Sequence, residues 1–317
     1  MPLPNFVIIG AARSGTTSLY RYLAQHPDVF TSGIKETNYF AWEVERPVGG
    51  FAHRLDLMYP IRSAAAYRAQ FDEVSGQRAI GEASPRYLHV PGVPERLTAE
   101  LPDVRVVAIL REPARRSYAD YMVRRRKGIE SRSFEEVVEE EAPHIHEPPP
   151  PGSRPILHHG LYHAHLRRWL SAVSRDRLLV LLHNDLVADP VGLFTRLCQF
   201  LEIAEISTID GTVRYGPAGM ARSPALDRVI NGRLARTARS ALPAAVRGPV
   251  TRLVRWARRK NTHRPEMPIE LRTRLAELYR DDIMALGKLM GRDLGMWLSN
   301  SSDREPRIDS RSAPSGA

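Results

Sequence analysis

Short apolar runs alternate with longer stretches of helical periodicity over the first two thirds of the chain. Residues 5–10, 104–110 and 178–182 are mainly apolar runs bounded by polar or turn-forming residues. Runs of this length and composition are typical of strands that are buried on both faces of a parallel sheet. The pattern predicts an α/β fold in which helices cover both faces of such a sheet.

Helices are expected where apolar residues recur at a spacing of three or four. Two of them have clear start signals. Ser133 followed by Glu136 forms a capping box, and Asp189 is an N-cap with Pro190 at the first helical position. The predicted helices cover residues 16–25, 93–101, 113–127, 133–141, 161–174, 190–201 and 268–290.

The apolar periodicity ends near residue 298. The 317 residues, 43% of them hydrophobic, suffice for one large core. Residues 299–317 are rich in Ser, Asp, Arg and Pro without apolar periodicity, which is typical of disorder. We therefore expect one domain, residues 1–298, and a disordered tail, residues 299–317.

The cysteine content and the hydropathy indicate a cellular compartment. The single cysteine, Cys198, stands among Leu193, Leu197 and Leu201 at helical spacing, which favours a buried thiol and allows no disulfide within the chain. No stretch approaches the ~20 apolar residues that cross a bilayer, and the residues after Met1 do not resemble a signal peptide. These features predict a cytoplasmic protein without stable membrane insertion.

The net charge of +10 is concentrated in one segment. Residues 216–264 contain twelve basic residues and one acidic residue, Asp227, so the segment carries +11 and the remainder is close to neutral. Such a segment is compatible with a nucleic-acid surface, a membrane-surface helix, a lid over an anionic ligand or a solvated face. Sparse aromatic residues and the lack of a recognition motif disfavour a nucleic-acid-binding protein.

The turn after the first predicted strand has the frame of a phosphate-binding loop. Gly10 and Gly15 stand five positions apart between a strand and a helix, and Arg13 is the only cation between them. Backbone N–H groups and the positive end of the following helix would bind an anion there. A nucleoside triphosphatase needs a lysine after the second glycine, and Thr16 in that position disfavours a P-loop kinase.

Two segments resemble the signatures of sulfotransferases that use 3'-phosphoadenosine 5'-phosphosulfate (PAPS). They are the loop GAARSGTT, residues 10–17, and VVAILREPARRSYADY, residues 106–121. The resemblance implies a P-loop-like fold and sulfuryl transfer to a hydroxyl or amine. It also implies that Arg111 grips the 3'-phosphate of the nucleotide. Because Ala119 replaces the family's serine, we expect Arg116 or Lys260 to contribute more. The implied nucleotide ligands are Arg13, Ser14, Gly15, Thr16, Thr17, Ser18, Arg111, Arg116, Lys260, Asn261, Thr262, His263 and Arg264.

A third segment, GIKETNYF at residues 33–40, resembles the glycan sulfotransferases related to the heparan sulfate enzymes. In that group the glutamate is the general base, which implies that Glu36 accepts the proton of the attacking group. Arg13 and Lys35 are then expected to stabilise the charge that develops on the departing phosphate.

The acceptor is expected to be a carbohydrate or a glycosylated small molecule. The resemblance implies acceptor-binding roles for Tyr39, Glu82 and Arg86. Ala83 stands where the heparan-type enzymes often have lysine, which counts against a heparan-like acceptor.

The segment KNTHRP, residues 260–265, lies where the family has a basic loop that closes over the nucleotide. The resemblance therefore implies that residues 216–264 form a lid-like part of the domain. Trp256 and His263 are candidates for stacking on the base.

No metal is implied, because a sulfuryl group carries less charge than a phosphoryl group. A separate histidine cluster in the middle of the chain lacks accompanying Cys or carboxylate ligands at ligand spacing, which favours a helix facing the acceptor cleft over a metal site. Its members are His158, His159, His163 and His165.

Overall fold

The computed structural model describes residues 2–45, 58–150, 153–205, 220–221, 223, 261–263 and 265–299, with single positions between 246 and 257. Lys260, Arg264 and Trp256 lie outside the described residues. So do most of the predicted lid and residues 300–317 of the predicted tail. The lid and the tail therefore stay predictions.

A five-stranded parallel sheet forms the centre of the described chain. Its strands are β1 (Phe6–Gly10), β2 (Val29–Thr31), β3 (Ala79–Ala83), β4 (Arg105–Leu110) and β5 (Leu178–Leu182). Their order is β2-β3-β1-β4-β5, which places β1 at the centre. The carboxyl ends of β1, β3 and β4 therefore meet at one edge, where sheets of this topology bind their ligands.

Side chains alternate between two cores along the central strand. Val7 and Ile9 enter the larger core, whereas Phe6 and Ile8 enter the smaller one on the opposite face. This double burial explains why the strand reads as a continuous apolar run. The predicted α/β fold is confirmed.

Eleven helices with complete bounds surround the sheet in the described ranges. They are α1 (Thr16–Leu23), α2 (Tyr39–Glu45), α3 (Ala64–Arg68), α4 (Val93–Glu100), α5 (Pro113–Arg126), α6 (Phe134–Glu141), α7 (Tyr162–Ala172), α8 (His183–Ala188), α9 (Pro190–Leu201), α10 (Ile269–Leu278) and α11 (Arg280–Met290). Helices α1, α8 and α9 cover the smaller core, and the others cover the larger one. No helix within these ranges is long and apolar enough to span a membrane.

The predicted helix starts agree with the structure. Ser133 and Glu136 form the reciprocal capping box of α6, and the Asp189 carboxylate accepts a hydrogen bond from the Gly192 amide at the start of α9. Cys198 is a buried free thiol, as predicted. A short antiparallel pair, β6 (Met220–Ala221) with β7 (Thr262–His263), lies apart from the main sheet.

The prediction of one continuous helix over residues 268–290 is wrong. Residues 268–290 form two helices, α10 and α11, which meet at Tyr279. The Tyr279 ring is fully buried, and its hydroxyl donates to the Leu157 carbonyl at 2.7 Å. This anchored side chain stands where the helical pattern is interrupted.

A buried ion pair joins the carboxyl-terminal helices to the residue that precedes α5. Arg272 of α10 donates from Nε to Oε1 of Glu112 at 3.0 Å, and both side chains are at most 10% exposed. Glu112 also accepts a hydrogen bond from Arg115 at 2.7 Å. Removing one partner of such a pair typically costs about 3–5 kcal/mol, because the other charge stays buried.

Gly81→Ala should destabilise the fold. A Cβ at residue 81 of β3 would lie 2.5 Å from the Phe6 ring on β1, and both strands are interior to the sheet. We expect the free energy of unfolding, measured in urea, to fall by roughly 1–3 kcal/mol. Gly33→Ala is the control, because its nearest new contact would be an ordinary one of 3.9 Å with Gln70. Equal losses in the two variants would contradict this packing argument.

Candidate active site

A glycine turn joins β1 to α1 at the edge where β1, β3 and β4 end. Gly15 has a φ of 103°, and a Cβ there would meet Leu186 Cδ2 at 2.8 Å, so the position requires glycine. The first amides of α1 have no acceptor within the helix, and the helix dipole favours an anion beside them. The predicted ligands Ser14, Thr16, Thr17 and Ser18 all lie in this turn or in the first turn of α1, and only Thr17 among them is more than slightly exposed.

Two of the predicted arginines meet at this turn. Arg111, which follows β4, donates from Nη1 to the Arg13 carbonyl at 3.4 Å. Arg13 in turn donates from Nε to Oδ1 of Asp120 on α5 at 3.3 Å. Burial raises the pKa of Asp120, but the charges of Arg124 and of the other neighbouring arginines lower it by a larger amount. The pKa of Asp120 therefore lies below its usual value. Asp120 is therefore a stable anion that holds Arg13 beside the turn.

Glu36 lies at the same edge, in the loop between β2 and α2. Lys35 Nζ donates to Glu36 Oε1 at 2.9 Å, and the Glu36 side chain is 56% exposed. Partial desolvation raises the pKa of Glu36, but the charge and hydrogen bond of Lys35, with the charges of Arg13 and Lys127, bring it below its usual value. The structure thus brings the three predicted catalytic residues together and adds Lys127 to them.

The loop that carries Glu36 is tied to the segment that follows β3. The Glu36 amide donates to the Ala83 carbonyl at 2.9 Å, and the Asn38 amide donates to Ser84 Oγ at 3.1 Å. Both Glu36 and Asn38 have left-handed backbone conformations, with φ of 64° and 50°. Asparagine adopts this conformation readily, but a glutamate rarely does, so these contacts hold an unusual conformation at Glu36.

Glu82 does not face an acceptor, and its predicted role is corrected. Its side chain is fully buried, where its carboxylate accepts hydrogen bonds from four hydroxyl groups. The donors are Ser84 (2.7 Å), Thr37 (2.8 Å), Tyr87 (2.9 Å) and Tyr67 (3.3 Å). With every side occupied, the carboxylate is closed to a ligand.

Tyr39 is corrected for the same reason. Its ring is 4% exposed and stacks on Tyr67 with the ring centroids 4.5 Å apart. Its hydroxyl donates to Glu100 at 3.1 Å. Tyr39 is therefore a core residue and not part of an acceptor surface.

Arg86 and Arg116 are both engaged within the protein. Arg86 forms a two-point ion pair with Glu45, one contact of which is 2.8 Å long, and lies over the Tyr59 ring. The Arg116 side chain is 1% exposed and donates to Ser117 Oγ and to the Ile156 carbonyl. Arg116 is therefore not presented to a nucleotide, which corrects the prediction that it binds the 3'-phosphate.

Thr262 and His263 form one strand of the β6–β7 pair, and Asn261 precedes them directly. Asn261 is buried, and its amide group accepts from the Ser223 N–H at 2.8 Å and donates to the Ser223 carbonyl at 3.0 Å. Its side chain therefore braces the backbone instead of facing a ligand, which corrects its predicted role. His263 is exposed, and for Thr262 only the backbone is described.

Three members of the predicted histidine cluster, His158, His159 and His165, pack together with His89, whereas the His163 backbone N–H donates to Asp282. The rings of His89 and His159 stack with their centroids 3.6 Å apart, and His165 Nε2 contacts the His158 carbonyl at 3.1 Å. Burial is the main cause that lowers the pKa of His89, His158, His159 and His165. Among the described residues, no three His, Cys, Asp or Glu side chains are grouped so as to hold a metal ion.

Sequence reasoning missed the roles of Asp120 and Lys127. Both belong to the α5 region, seven positions apart, which places them on one face of a helix two turns apart. This spacing within a helix that begins at Pro113 was the sequence signal that could have identified Asp120 and Lys127.

Comparison with known proteins identifies the chain's relatives. Residues 4–207 match the model of the Sulfotransferase family. A crystal structure of a sulfotransferase from Alicyclobacillus acidocaldarius is 29% identical, has a TM-score of 0.70, and covers 94% of this chain and all of its own.

Two curated relatives act on heparan sulfate according to their names. The mouse heparan sulfate glucosamine 3-O-sulfotransferase 3B1 is 28% identical over 65% of this chain, and the match covers 48% of its own length. The mouse bifunctional heparan sulfate N-deacetylase/N-sulfotransferase 4 is 26% identical over 93% of this chain and 31% of its own length. The chain thus spans less than half the length of these relatives.

Lys35→Met should raise the pKa of Glu36. The substitution removes both the nearest positive charge and the hydrogen bond that favour the ionised carboxylate, while Arg13 and Lys127 remain. The measurement is a pH titration of carbon-13-labelled glutamate side chains by NMR, with Glu36→Gln identifying the resonance. Lys127→Met should produce a smaller rise, and Lys288→Met, at an exposed position on α11, should produce none. An unchanged titration in Lys35→Met would show that the ion pair does not form in solution.

Proposed function

Because this chain belongs to the sulfotransferase family, we propose that it transfers a sulfuryl group from PAPS to a hydroxyl or amine of an acceptor. The observation that supports this best is the placement of Glu36. Its carboxylate lies with Lys35, Arg13 and Lys127 at the edge where the glycine turn begins α1. A proton acceptor and an anion site are therefore adjacent, as a displacement at sulfur requires.

The residues present suit an anionic donor. The turn that ends at Gly15 offers backbone amides and the start of α1, and Arg13 and Arg111 add two positive charges. Thr16, in the position where a triphosphatase has lysine, leaves this site without the usual ligand of a γ-phosphate. PAPS supplies the sulfuryl group, and Arg111 is the proposed partner of its 3'-phosphate.

The proposed reaction is an in-line displacement. Glu36 takes the proton from the acceptor hydroxyl or amine as that atom forms its bond to sulfur. The bond from sulfur to the phosphate oxygen breaks, and its electron pair leaves with 3'-phosphoadenosine 5'-phosphate (PAP). Arg13, Lys35 and the amides of the turn stabilise the negative charge that develops on the phosphate.

The positive charges around Glu36 have a second consequence. They lower its pKa in the free protein, which would make it a weak base. An anion bound at the turn offsets the charges of Arg13 and Lys35, and the pKa of Glu36 then rises toward the range useful for proton transfer. Donor binding would in this way activate the base.

The proposed acceptor is a carbohydrate or a glycosylated small molecule. The names of the two curated relatives mention heparan sulfate, which supports a glycan. Ala83 in place of the lysine common in the heparan-type enzymes argues for an acceptor that differs from heparan. A screen of candidate acceptors with labelled PAPS is the direct test.

PAP should raise the melting temperature of the protein more than ATP with magnesium does. A free 3'-phosphate is the group that Arg111 is proposed to bind, and the turn lacks the lysine that a triphosphate needs. Arg111→Ala should weaken PAP binding by about ten- to hundredfold, since a hydrogen bond to a charged group is typically worth roughly 1.5–3 kcal/mol. Arg21→Ala, at an exposed position on α1, is the matched control. Preference for ATP with magnesium would favour a kinase, and preference for random DNA would favour the nucleic-acid alternative.

Glu36→Gln and Arg13→Ala should have different kinetic signatures. Glu36→Gln keeps the shape of the side chain, so it should preserve PAP affinity and lower turnover by ~10²–10⁴-fold. Arg13→Ala should weaken PAP binding and turnover together, because its charge acts before and during transfer. In the parent enzyme, turnover should fall with decreasing pH as Glu36 becomes protonated. Turnover of Glu36→Gln within a few fold of the parent would rule out Glu36 as the base.

A further inference from the structure

The direction of the Glu36 side chain depends on a turn in which Glu36 itself has a backbone conformation that a glutamate rarely adopts. Glu36 and Asn38 both have positive φ, and neither is glycine. Without outside contacts such a turn would populate other conformations, in which the carboxylate would leave the chain in a different direction. The contacts that select this turn therefore also select the position of the carboxylate.

Asn38 Nδ2 donates to the Met58 carbonyl at 2.7 Å, and the contacts that link this part of the chain to Glu82 come from one short stretch, residues 82–87. Asn38 N–H donates to Ser84 Oγ at 3.1 Å, and Phe40 N–H donates to the Tyr87 hydroxyl at 3.3 Å. Thr37, between Glu36 and Asn38, donates from Oγ1 to Glu82 Oε2 at 2.8 Å. Ser84 and Tyr87 themselves donate to Glu82, so every one of these links leads to the same carboxylate.

The two oxygens of Glu82 serve different partners. Oε2 accepts from Thr37 and Ser84, which both hold the turn, whereas Oε1 accepts from Tyr87 and Tyr67. Tyr67 belongs to α3 and makes no hydrogen bond to the turn among those described. Removing the Tyr67 hydroxyl therefore takes a donor from the Glu82 carboxylate without taking a hydrogen bond from the turn.

We propose that Glu82 is a positioning residue for Glu36, holding the turn at residues 36–38 through Thr37 and Ser84 so that the Glu36 carboxylate stays paired with Lys35. This inference rests on the proposed role of Glu36 as the base. Glu82 itself touches no substrate, because its side chain is fully buried.

Burial and hydrogen bonding have opposite effects on the pKa of Glu82. Burial raises its pKa, while the hydrogen bonds from its four hydroxyl donors lower it in part. Burial also raises the pKa of Tyr67 and Tyr87 well above the usual range, so both phenols stay protonated and able to donate. The charge of Glu100 in α4 contributes to the raised pKa of Tyr67, and the charge of Glu82 contributes to the raised pKa of Tyr20 in α1.

Three variants test the proposal. Thr37→Val removes the hydroxyl that links the turn to Glu82 and keeps the branched shape, Thr37→Ser restores a hydroxyl, and Tyr67→Phe removes a donor from the other carboxylate oxygen. The first readout is the pKa of Glu36 by NMR titration, which needs no acceptor. Thr37→Val should raise it, because the carboxylate moves away from its cations, and the other two variants should leave it unchanged.

Turnover and PAP affinity are the second readout. Thr37→Val should lower turnover by up to ~10²-fold, the loss that a misplacement of about 1 Å can cause, without weakening PAP binding. Thr37→Ser should recover most of that loss. Tyr67→Phe should lower the melting temperature without changing turnover. If Thr37→Val does not fold, Ser84→Ala replaces it, since it removes a bond to the same oxygen and the acceptor of the Asn38 amide.

The outcomes separate the two hypotheses. An unchanged pKa of Glu36 in Thr37→Val, or equal changes in Thr37→Val and Tyr67→Phe, would overturn the positioning role. A parent protein that binds no PAP and transfers no sulfuryl group would instead overturn the proposed function. The pKa comparison would still decide whether Glu82 positions Glu36.

Discussion

Burying the Glu82 carboxylate requires a hydrogen-bond donor at each of its lone pairs, and this requirement organises the part of the protein that carries Glu36. The four donors come from the turn after β2, from α3 and from two points after β3. Satisfying one charge therefore fixes the relative positions of a turn, a helix and the edge of the sheet. Loss of one donor from a buried carboxylate typically costs about 1–3 kcal/mol, so the order of these segments is coupled through Glu82.

Charges of opposite sign alternate along the edge of the sheet. Asp120 holds Arg13 on one side, and Lys35 pairs with Glu36 on the other, where the charge of Lys127 also lowers the pKa of Glu36. Arg13 and Lys35 thus have partners in the free protein, and binding of the proposed anionic donor beside the turn would need little reorganisation. Such preorganisation is what makes fixed charges effective in stabilising a developing negative charge.

The sequence predicted those parts of the protein whose signals are local. Strand β5, the caps of α6 and α9, and the glycine turn follow from adjacent residues. The sequence did not predict strands β2 and β3. Strand β2 has only three residues, and β3 contains Gly81 and Glu82, which interrupt an apolar run. Glu82 was misassigned because a sequence does not show that four hydroxyls converge on it. Whether a polar side chain faces a ligand or the interior depends on contacts between distant segments.

The ion pair between Glu112 and Arg272 connects a residue inside the segment that matches the family model to a residue beyond that segment. Glu112 follows Arg111 directly, within the region that matches the family, whereas Arg272 lies beyond residue 207, where that match ends. The side of the site that is proposed to hold the nucleotide is thus braced by a helix outside the residues that match the family model. A chain cut back to residues 4–207 would lose this arginine and leave the buried Glu112 carboxylate without this partner. The segment that carries the family match is therefore not a self-contained folding unit.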